Sequence, residues 1–270
     1  MSHSLQGLPA DESLDYAERW LRDGLSVVRP SFSVVQITVD MTHATARLEQ
    51  LRKEGVQATS THLLVQAAAR ALASNPQLHQ IVAGNRRHRP AHVDIGLSIT
   101  GETFVAPVLI IECADQKSVA QIAEETTRRA PEIRKADQQM LRVLRRWGRL
   151  VPFGIVRRAL LRLMFNSATF RQKGAGTFQV STVPADWALS SAFSTAGVVI
   201  GGQTRLRVLA IDGRPEVRPT MTVTLSGDHG VWDGRSAVRF LAALKGELES
   251  IAEKTNAAPL EERGVSLLSV

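Results

Sequence analysis

The segment from Thr220 to Leu248 constrains the fold most, because it joins a strand pattern directly to a helix pattern. Thr220 to Leu225 alternates polar and apolar residues, several of them β-branched, which predicts a half-buried strand. Ser236 to Leu248 repeats apolar residues at helical spacing. A polar turn, Ser226 to Arg235, lies between them. Turns held by such rigid elements often present reactive side chains.

His229 in this turn is a candidate general base, because imidazole titrates near neutral pH and can both take and return a proton. Asp233 follows four residues later and could orient the ring or brace the loop through an ion pair. Gly234 is predicted to let the backbone turn sharply where a side chain would clash. A surface histidine in a polar turn is the non-functional alternative. The strand before, the helix after and the Asp-Gly pair favour the functional one.

The pattern His-x-x-x-Asp-Gly from His229 to Gly234 resembles the signature of the chloramphenicol acetyltransferase-like acyltransferases. That superfamily includes the catalytic domain of dihydrolipoamide acyltransferases from 2-oxo acid dehydrogenase complexes. The segments Asp94–Ser98, Val105–Val108 and Gly174–Thr182 resemble motifs of this branch. The resemblance covers roughly residues 30 to 255. It implies an α/β (α+β) fold, a chloramphenicol acetyltransferase-like two-layer sandwich of a mixed β-sheet with flanking helices.

The resemblance also implies reversible acyl transfer between CoA and a thiol or hydroxyl acceptor, without a metal and without an acyl-enzyme. His229 would be the base, Asp233 an orienting residue, and Ser181 the hydroxyl that supports the oxyanion. Thr182 stays a candidate because the register could shift by one residue. The family forms homotrimers, or larger multiples of trimers, and His229 of one subunit would face Ser181 of its neighbour. Two departures from the family pattern, Gly230 and Trp232, could reshape the substrate channel.

The expected organisation is a leader with a short helix (1–30), a catalytic domain (31–255) and a tail (256–270). A basic helical insertion, residues 136–168, interrupts the catalytic domain. Its central part holds seven arginines between Met140 and Phe165 and no acidic residue. Strands are expected at 31–40, 93–100, 104–111, 196–202 and 206–211, and helices at 63–72, 118–129, 136–149 and 155–165. The strands at 93–100 and 104–111 are expected to form a hairpin across a turn at Gly101-Glu102, and Asp212-Gly213 is expected to turn the chain back towards the strand before His229.

Three functions of the insertion stay open. It could be a helical hairpin that packs its leucine face on the domain and solvates its arginines. It could be a basic amphipathic surface for an anionic membrane or for lipid-like acyl substrates. It could also dock an acidic carrier protein or the phosphates of CoA. No recognised motif accompanies the charge, so nucleic acid is not expected as a partner.

The totals fit a soluble globular protein of 270 residues with a net charge of +7 and a single cysteine, Cys113. Cys113 is predicted in an apolar strand, as a small buried residue and not as a nucleophile. Neither a signal peptide nor an apolar run of about 20 residues is present, so a cytoplasmic, and at most peripheral membrane, location is expected.

The sequence contains no lipoylation turn and no linker. The expected partner is therefore a lipoyl or acyl carrier protein on another chain, or else a free small molecule accepts the acyl group. Peptide condensation domains are not expected, because they need a second His where Asp228 stands and two such folds in tandem. A non-catalytic oligomeric scaffold or binding protein that kept the fold is the alternative from another class.

Overall fold

The computed structural model describes residues 15–27, 32–83, 86–103, 105–191 and 195–251. Part of the predicted leader and the whole predicted tail lie outside these ranges, as does Phe104, the first residue of one predicted strand. The elements follow one another as α1 (Tyr16–Val27), β1 (Phe32–Asp40), α2 (Thr42–Lys53), α3 (Ser60–Ser74), β2 (Ile81–Ala83), β3 (Arg86–His88), β4 (Ile95–Ser98), β5 (Val108–Ile111), α4 (Val119–Trp147), α5 (Gly154–Phe165), α6 (Ala168–Ala175), β6 (Phe178–Thr182), β7 (Gly197–Gly201), β8 (Arg205–Ile211), β9 (Arg214–Asp228) and α7 (Gly234–Glu249), with 3-10 turns at Ala114–Gln116 and Gly148–Leu150.

The long strand β9 organises the sheet, because it pairs with three other strands. Its first half forms a hairpin with β8 through Asp212 and Gly213, whose φ angles of 49° and 76° suit a tight hairpin turn. Its second half lies between β1 and β7 and is antiparallel to both. The sheet continues through β6, β4 and β5, with parallel pairing of β7 with β6 and of β6 with β4. The predicted mixed sheet is therefore confirmed.

One face of this sheet is covered by α2, α3, α7 and the first half of α4. The apolar residues that predicted a core helix at 63–72 are buried in α3, among them Leu63 and Leu72. Phe178 of β6 meets Phe240 of α7 with ring centroids 5.5 Å apart. Burial of a side chain of this size stabilises a fold by about 1.5–3 kcal/mol. The contact therefore fixes α7, and with it the turn between β9 and α7.

The other face carries hydroxyl side chains near its centre. They alternate along β9 with the core residues and are buried: Thr220, Thr222, Thr224 and Ser226. A segment after β6 covers part of this face, since Val183 and Ala188 pack on Val198 and Ile200 of β7.

The predicted strands at 93–100 and 104–111 do pair as an antiparallel hairpin, but only β4 and β5 form it. Pro107 ends the pairing, because it has no N–H to donate to a neighbouring strand. The Ile99 N–H still donates to the Pro107 carbonyl at 3.0 Å. The hairpin prediction is right in topology and too long in extent.

Cys113 lies beyond β5 and not within a strand, so that prediction is wrong. Its φ angle of 47° is left-handed, and the residue is half-buried. The Cys113 N–H donates to Asp94 Oδ1 at 3.1 Å. This bond draws the backbone out of line with the sheet, towards the 3-10 turn that follows.

The predicted helices at 118–129 and 136–149 are one continuous helix of 29 residues, α4. Pro131 lies inside it, although an interior proline removes one backbone hydrogen bond and often breaks a helix. Ala130 and Leu141, on the two sides of the proline, are both buried. Packing on both halves therefore outweighs the local signal to stop, and the predicted break is wrong.

Residues 140–165 form two helices joined by a bend, as predicted, and we call them the 140–165 hairpin. One of the three alternatives, a leucine face packed on the domain, does not hold for α5. Asp23 of α1 is buried and accepts hydrogen bonds from Arg157 Nε at 2.7 Å and Arg158 Nη1 at 3.0 Å. A buried carboxylate needs such partners, so this charged side of α5 turns inward and the apolar side turns outward. Ile155 and Leu163 are 76% and 73% exposed. Within the described ranges no helix is both long and apolar enough to cross a bilayer.

Candidate active site

His229 lies one residue beyond β9, in a compact turn that leads to α7. Asp228 Oδ1 accepts from the Gly230 N–H at 2.9 Å, and the Asp228 carbonyl accepts from the Val231 N–H at 2.9 Å. The buried side chain of Gln80 donates from Nε2 to the Val231 carbonyl at 2.9 Å. The backbone around His229 is thus held by its own turn and by a distant part of the chain.

The carbonyl of Ala196, just before β7, supports both sides of this turn. It accepts from the Asp228 N–H at 3.0 Å and from the Trp232 indole Nε1 at 3.1 Å. Gly227 allows this approach, because a Cβ there would lie 2.3 Å from the Ala196 oxygen. Any larger residue at Gly227 would push β9 away from Ala196, and His229 with it.

The His229 ring is fixed in one orientation by a single hydrogen bond. Its Nδ1 lies 3.0 Å from the carbonyl oxygen of Trp232. Since a carbonyl only accepts, Nδ1 must carry the proton, and Nε2 of the neutral ring carries the lone pair. The residue is exposed, so a substrate can reach Nε2. This is the arrangement that a general base requires.

The two departures from the family pattern behave differently. Trp232 is 3% exposed, and its ring meets the His229 ring at 77° with centroids 6.5 Å apart. It therefore braces the histidine from the core, and it also lines the cleft around His229, so the expectation that it shapes the substrate channel stays a prediction. Gly230 is exposed at the cleft, where a Cβ would come to 3.1 Å from Asp228 Oδ1.

Asp233 caps α7 and does not hold the histidine ring. Its Oδ1 accepts from the Ser236 N–H at 2.8 Å, and this hydrogen bond lowers the pKa of the Asp233 carboxyl. Within the described ranges no hydrogen bond joins Asp233 to the ring. The expected bracing of the loop therefore occurs through a helix cap instead of an ion pair, and the carbonyl of Trp232 orients the ring.

Gly234 is the first residue of α7. The prediction that a side chain at this position would clash is wrong for the isolated chain. A Cβ at Gly234 would meet no atom within 4 Å. The φ angle of Gly234 is also not positive, so its backbone conformation does not require a glycine. The chain turns at 228–233 through hydrogen bonds of Asp228 and Asp233, so no sharp bend remains for Gly234 to make.

Ser181 and Thr182 end β6 on opposite faces of the sheet. Thr182 Oγ1 lies 2.8 Å from Thr61 Oγ1 of α3, which places this hydroxyl on the helix side. Successive residues of a strand point to opposite faces, so Ser181 points to the face that carries the buried hydroxyl groups. It is half-buried there.

The sheet register keeps Ser181 and His229 of one chain apart. Ser181 pairs with Ile200 of β7, which pairs with Thr224 of β9. Thr224 stands five residues before His229. At about 3.3 Å per residue and 4.8 Å between strands, the two residues are roughly 16 Å apart along the strands and 10 Å across them. A single chain does not bring these predicted site residues together.

An open cleft of 590 Å³ surrounds His229, and Arg87 and Arg89 line it beside the turn. The sequence shows the basic run from Arg86 to Arg89, but nothing in it connects this run with His229. The connection depends on the β2–β3 hairpin, which is a tertiary feature. Gln80 was also missed, because its contact is with a backbone carbonyl and leaves no sequence signal. The described ranges hold no cluster of three or more His, Cys, Asp or Glu residues suited to a metal ion.

Comparison with solved structures defines the class of protein by its fold. A probable dihydrolipoamide acetyltransferase from Listeria monocytogenes 4b F2365 has a TM-score of 0.69 at 22% identity and covers 93% of this chain and 98% of that one. Azotobacter vinelandii dihydrolipoamide acetyltransferase has a TM-score of 0.64 at 20% identity, with coverage of 94% and 96%. The fold is therefore that of dihydrolipoamide acyltransferase catalytic cores.

A family model of the 2-oxoacid dehydrogenases acyltransferase (catalytic domain) matches residues 27–141 and 194–255. The chain belongs to this family, which confirms the resemblance. The dihydrolipoyllysine-residue succinyltransferase component of the 2-oxoglutarate dehydrogenase complex of Rickettsia bellii (strain RML369-C) is 27% identical over 207 residues. The match covers 74% of this chain and 43% of that protein, so the chain spans less than half of this relative. His229 lies inside the family match, whereas Ser181 and most of the 140–165 hairpin lie in the unmatched residues 142–193.

Proposed function

We propose that this chain transfers an acyl group between CoA and the thiol of a dihydrolipoyl group, with His229 as the general base. The observation that carries the proposal is the bond from His229 Nδ1 to the Trp232 carbonyl. It leaves the Nε2 lone pair for a substrate in the 590 Å³ cleft. The bond also lies in a segment that the family model matches.

The reaction needs one proton acceptor and one oxyanion donor. Nε2 of His229 takes the proton from the attacking thiol, and the thiolate adds to the thioester carbonyl. The tetrahedral oxyanion accepts a hydrogen bond from a hydroxyl group, for which Ser181 is the candidate. Collapse of the intermediate breaks the other carbon–sulfur bond, and the leaving thiolate takes the proton back from Nε2. A general base contributes about 10² to 10⁴-fold in rate, and one oxyanion donor about 10² to 10³-fold.

Ser181 of a neighbouring chain fits this role better than Ser181 of the same chain. The register separates the two residues within one chain by far more than hydrogen-bond distance. The β8–β9 hairpin also offers a surface for a second copy, since Leu206, Val208 and Val217 are 71%, 66% and 65% exposed. Exposed apolar patches of this kind often mark protein interfaces. A homotrimer that completes each site between two chains accounts for both features.

Two observations support CoA and a dihydrolipoyl group as the substrates: the positive charge of the cleft, and the reactions for which similar proteins are named. Arg87 and Arg89 give the cleft a cationic wall, which favours a phosphate-bearing substrate such as CoA. The Rickettsia relative is named for succinyl transfer to a dihydrolipoyllysine residue. Work on the Azotobacter enzyme addressed a serine, a histidine and an asparagine in its catalytic mechanism. Ser181, His229 and Asp233 are the residues proposed for comparable roles here.

The test is release of free CoA from acetyl-, succinyl- and branched-chain acyl-CoA. The acceptors are dihydrolipoamide, a purified dihydrolipoylated domain, and a panel of small thiols and alcohols. We expect turnover with a dihydrolipoyl acceptor and a loss of at least about 100-fold in His229→Ala. His43→Ala is the matched control, because His43 is an exposed histidine on α2, which begins at the end of the β1–β9 pairing that lies opposite the turn.

Absence of turnover with every donor and acceptor, from a normally assembled protein, would favour the non-catalytic scaffold. Turnover only with a small alcohol or thiol would keep the acyl transfer and reject the lipoyl acceptor.

A further inference from the structure

The 140–165 hairpin carries more than half of the large apolar side chains that are exposed among the described residues. Ten of the nineteen large apolar side chains that are exposed lie between Met140 and Met164. Leu150 and Phe153 at the bend are 67% and 71% exposed. Soluble domains seldom leave so many large apolar groups in contact with water unless a partner covers them.

These side chains form continuous stripes along two helices. On α4, Met140, Val143 and Trp147 recur with helical spacing on one side. On α5, the exposed stripe consists of Ile155, Val156, Leu160 and Leu163. We call these two stripes, with the bend between them, the outer face of the hairpin.

Cations border the outer face, and no acidic residue interrupts it. The sequence contains no Asp or Glu from 138 to 185. Four exposed arginines next to the stripes form no ion pair within the described ranges: Arg142, Arg146, Arg149 and Arg162. By contrast, Arg145, Arg157 and Arg158 pair with aspartates of the N-terminal part. The Arg146 guanidinium lies 5.2 Å from the Trp147 ring centroid.

We propose that the outer face of the hairpin binds the surface of an anionic lipid bilayer. An apolar stripe edged by arginines is the pattern by which amphipathic helices lie in a membrane interface. Trp147 and Phe153 are aromatic residues of the kind enriched at that depth. A bilayer accepts apolar side chains of any shape, so it needs no pocket that matches this irregular bend.

Other occupants fit the charges or the geometry less well. A second copy would place arginine against arginine, which opposes association. An acidic protein would pair with the arginines but would need complementary pockets for Ile155, Leu163 and Phe153. The outer face also lies mostly in residues 142–193, which the family model does not match.

The experiment is flotation of the full chain with vesicles of phosphatidylcholine alone, and of equal parts phosphatidylcholine and phosphatidylglycerol. The first variant changes the four bordering arginines: Arg142→Glu, Arg146→Glu, Arg149→Glu and Arg162→Glu. The matched control makes the same charge change at exposed cations elsewhere: Arg52→Glu, Lys53→Glu, Arg128→Glu and Arg239→Glu. Each set removes four positive and adds four negative charges, so the net charge goes from +7 to −1 in both (+7 − 8).

We expect the wild type to float only with the anionic vesicles and to bind less as salt is added. Each cation near an anionic surface adds roughly fivefold to the partition coefficient, so the first variant should lose at least about 100-fold and the control far less. A third variant, Phe153→Ser, Ile155→Ser and Leu163→Ser, should lose at least about tenfold because it removes the inserted apolar groups. All three positions are exposed, so the fold should tolerate the change.

The proposal would be overturned if the wild type did not float with the anionic vesicles. It would also be overturned if both charge variants lost binding equally, because binding would then depend on net charge alone. Full binding by the serine variant would reduce the contact to plain electrostatic adsorption and reject insertion. Binding to soluble polyglutamate but not to vesicles would favour an acidic protein partner instead. His229→Ala should float like the wild type, which separates this result from the acyltransferase assay.

Discussion

Two inactive variants should restore acyl transfer when they assemble together, if each site combines His229 of one chain with Ser181 of the next. His229→Ala removes the base, and Ser181→Ala removes the proposed oxyanion donor. An oxyanion donor has to lie about 3 Å from the reacting oxygen. The sheet register holds the two residues of one chain roughly 16 Å apart along the strands and 10 Å across them, so they cannot share one carbonyl.

The expected recovery follows from counting sites in a hybrid trimer. An intact site takes its histidine from a Ser181→Ala chain and its serine from a His229→Ala chain. Any trimer that contains both kinds of chain has one such site among three, so hybrids should show about one third of the wild-type activity. Trimers of a single variant should retain about 1% or less, because either lesion costs at least about 100-fold.

The assay coexpresses the two variants with different affinity tags, isolates hybrids on both tags in succession, and measures CoA release. A control pairs His229→Ala with the double variant His229→Ala/Ser181→Ala, a combination that contains no intact histidine. Hybrids no more active than the single variants would refute the reasoning. That outcome would leave Ser181 outside the site or confine the site to one chain.

Three further predictions concern stability and can be measured by urea denaturation. Gly227→Ala should lower the free energy of unfolding by about 1–3 kcal/mol, because the new Cβ would lie 2.3 Å from the Ala196 oxygen. Gly234→Ala should leave the free energy of unfolding unchanged or raise it by up to about 1 kcal/mol, because its Cβ would meet no atom within 4 Å. A greater loss of stability in Gly234→Ala than in Gly227→Ala would contradict the geometry. Trp232→Phe should cost about 1–2 kcal/mol, since the Ala196 carbonyl loses its indole donor at 3.1 Å, and an unchanged midpoint would speak against that bond. Burial lowers the pKa of His79, so the unfolded chain binds its proton more readily and the free energy of unfolding should fall as the pH drops below about 6.5. The slope should flatten in His79→Gln, and an unaltered slope would assign it to other groups.

Local patterns in the sequence predicted those elements whose residues meet their neighbours along the chain. The alternation before His229 predicted the end of β9, and the apolar run at 63–72 predicted the core helix α3. Turn residues likewise predicted the hairpins at Asp212-Gly213 and between β4 and β5. Periodicity and turn chemistry act over a few residues, so the sequence displays them directly.

Predictions failed where packing between distant segments outweighed a local signal. The sequence patterns predicted separate helices at 118–129 and 136–149, yet burial on both sides of Pro131 keeps α4 continuous. One alternative placed the leucines of α5 against the domain, yet the buried Arg157 pairs with Asp23 of α1 and leaves Leu160 and Leu163 exposed. Neither competition can be evaluated from residues that are neighbours in sequence.

The sequence by itself determined that a histidine stands between a strand and a helix, in the pattern of a known acyltransferase family. Only the tertiary structure showed that the Trp232 carbonyl fixes the His229 ring, that Ala196 supports the turn from β7, and that Ser181 of the same chain is out of reach. A strand pattern states which face a residue occupies, because side chains alternate, but not which strand lies beside it. Strand order and register come from long-range pairing, and they decide which side chains share a site.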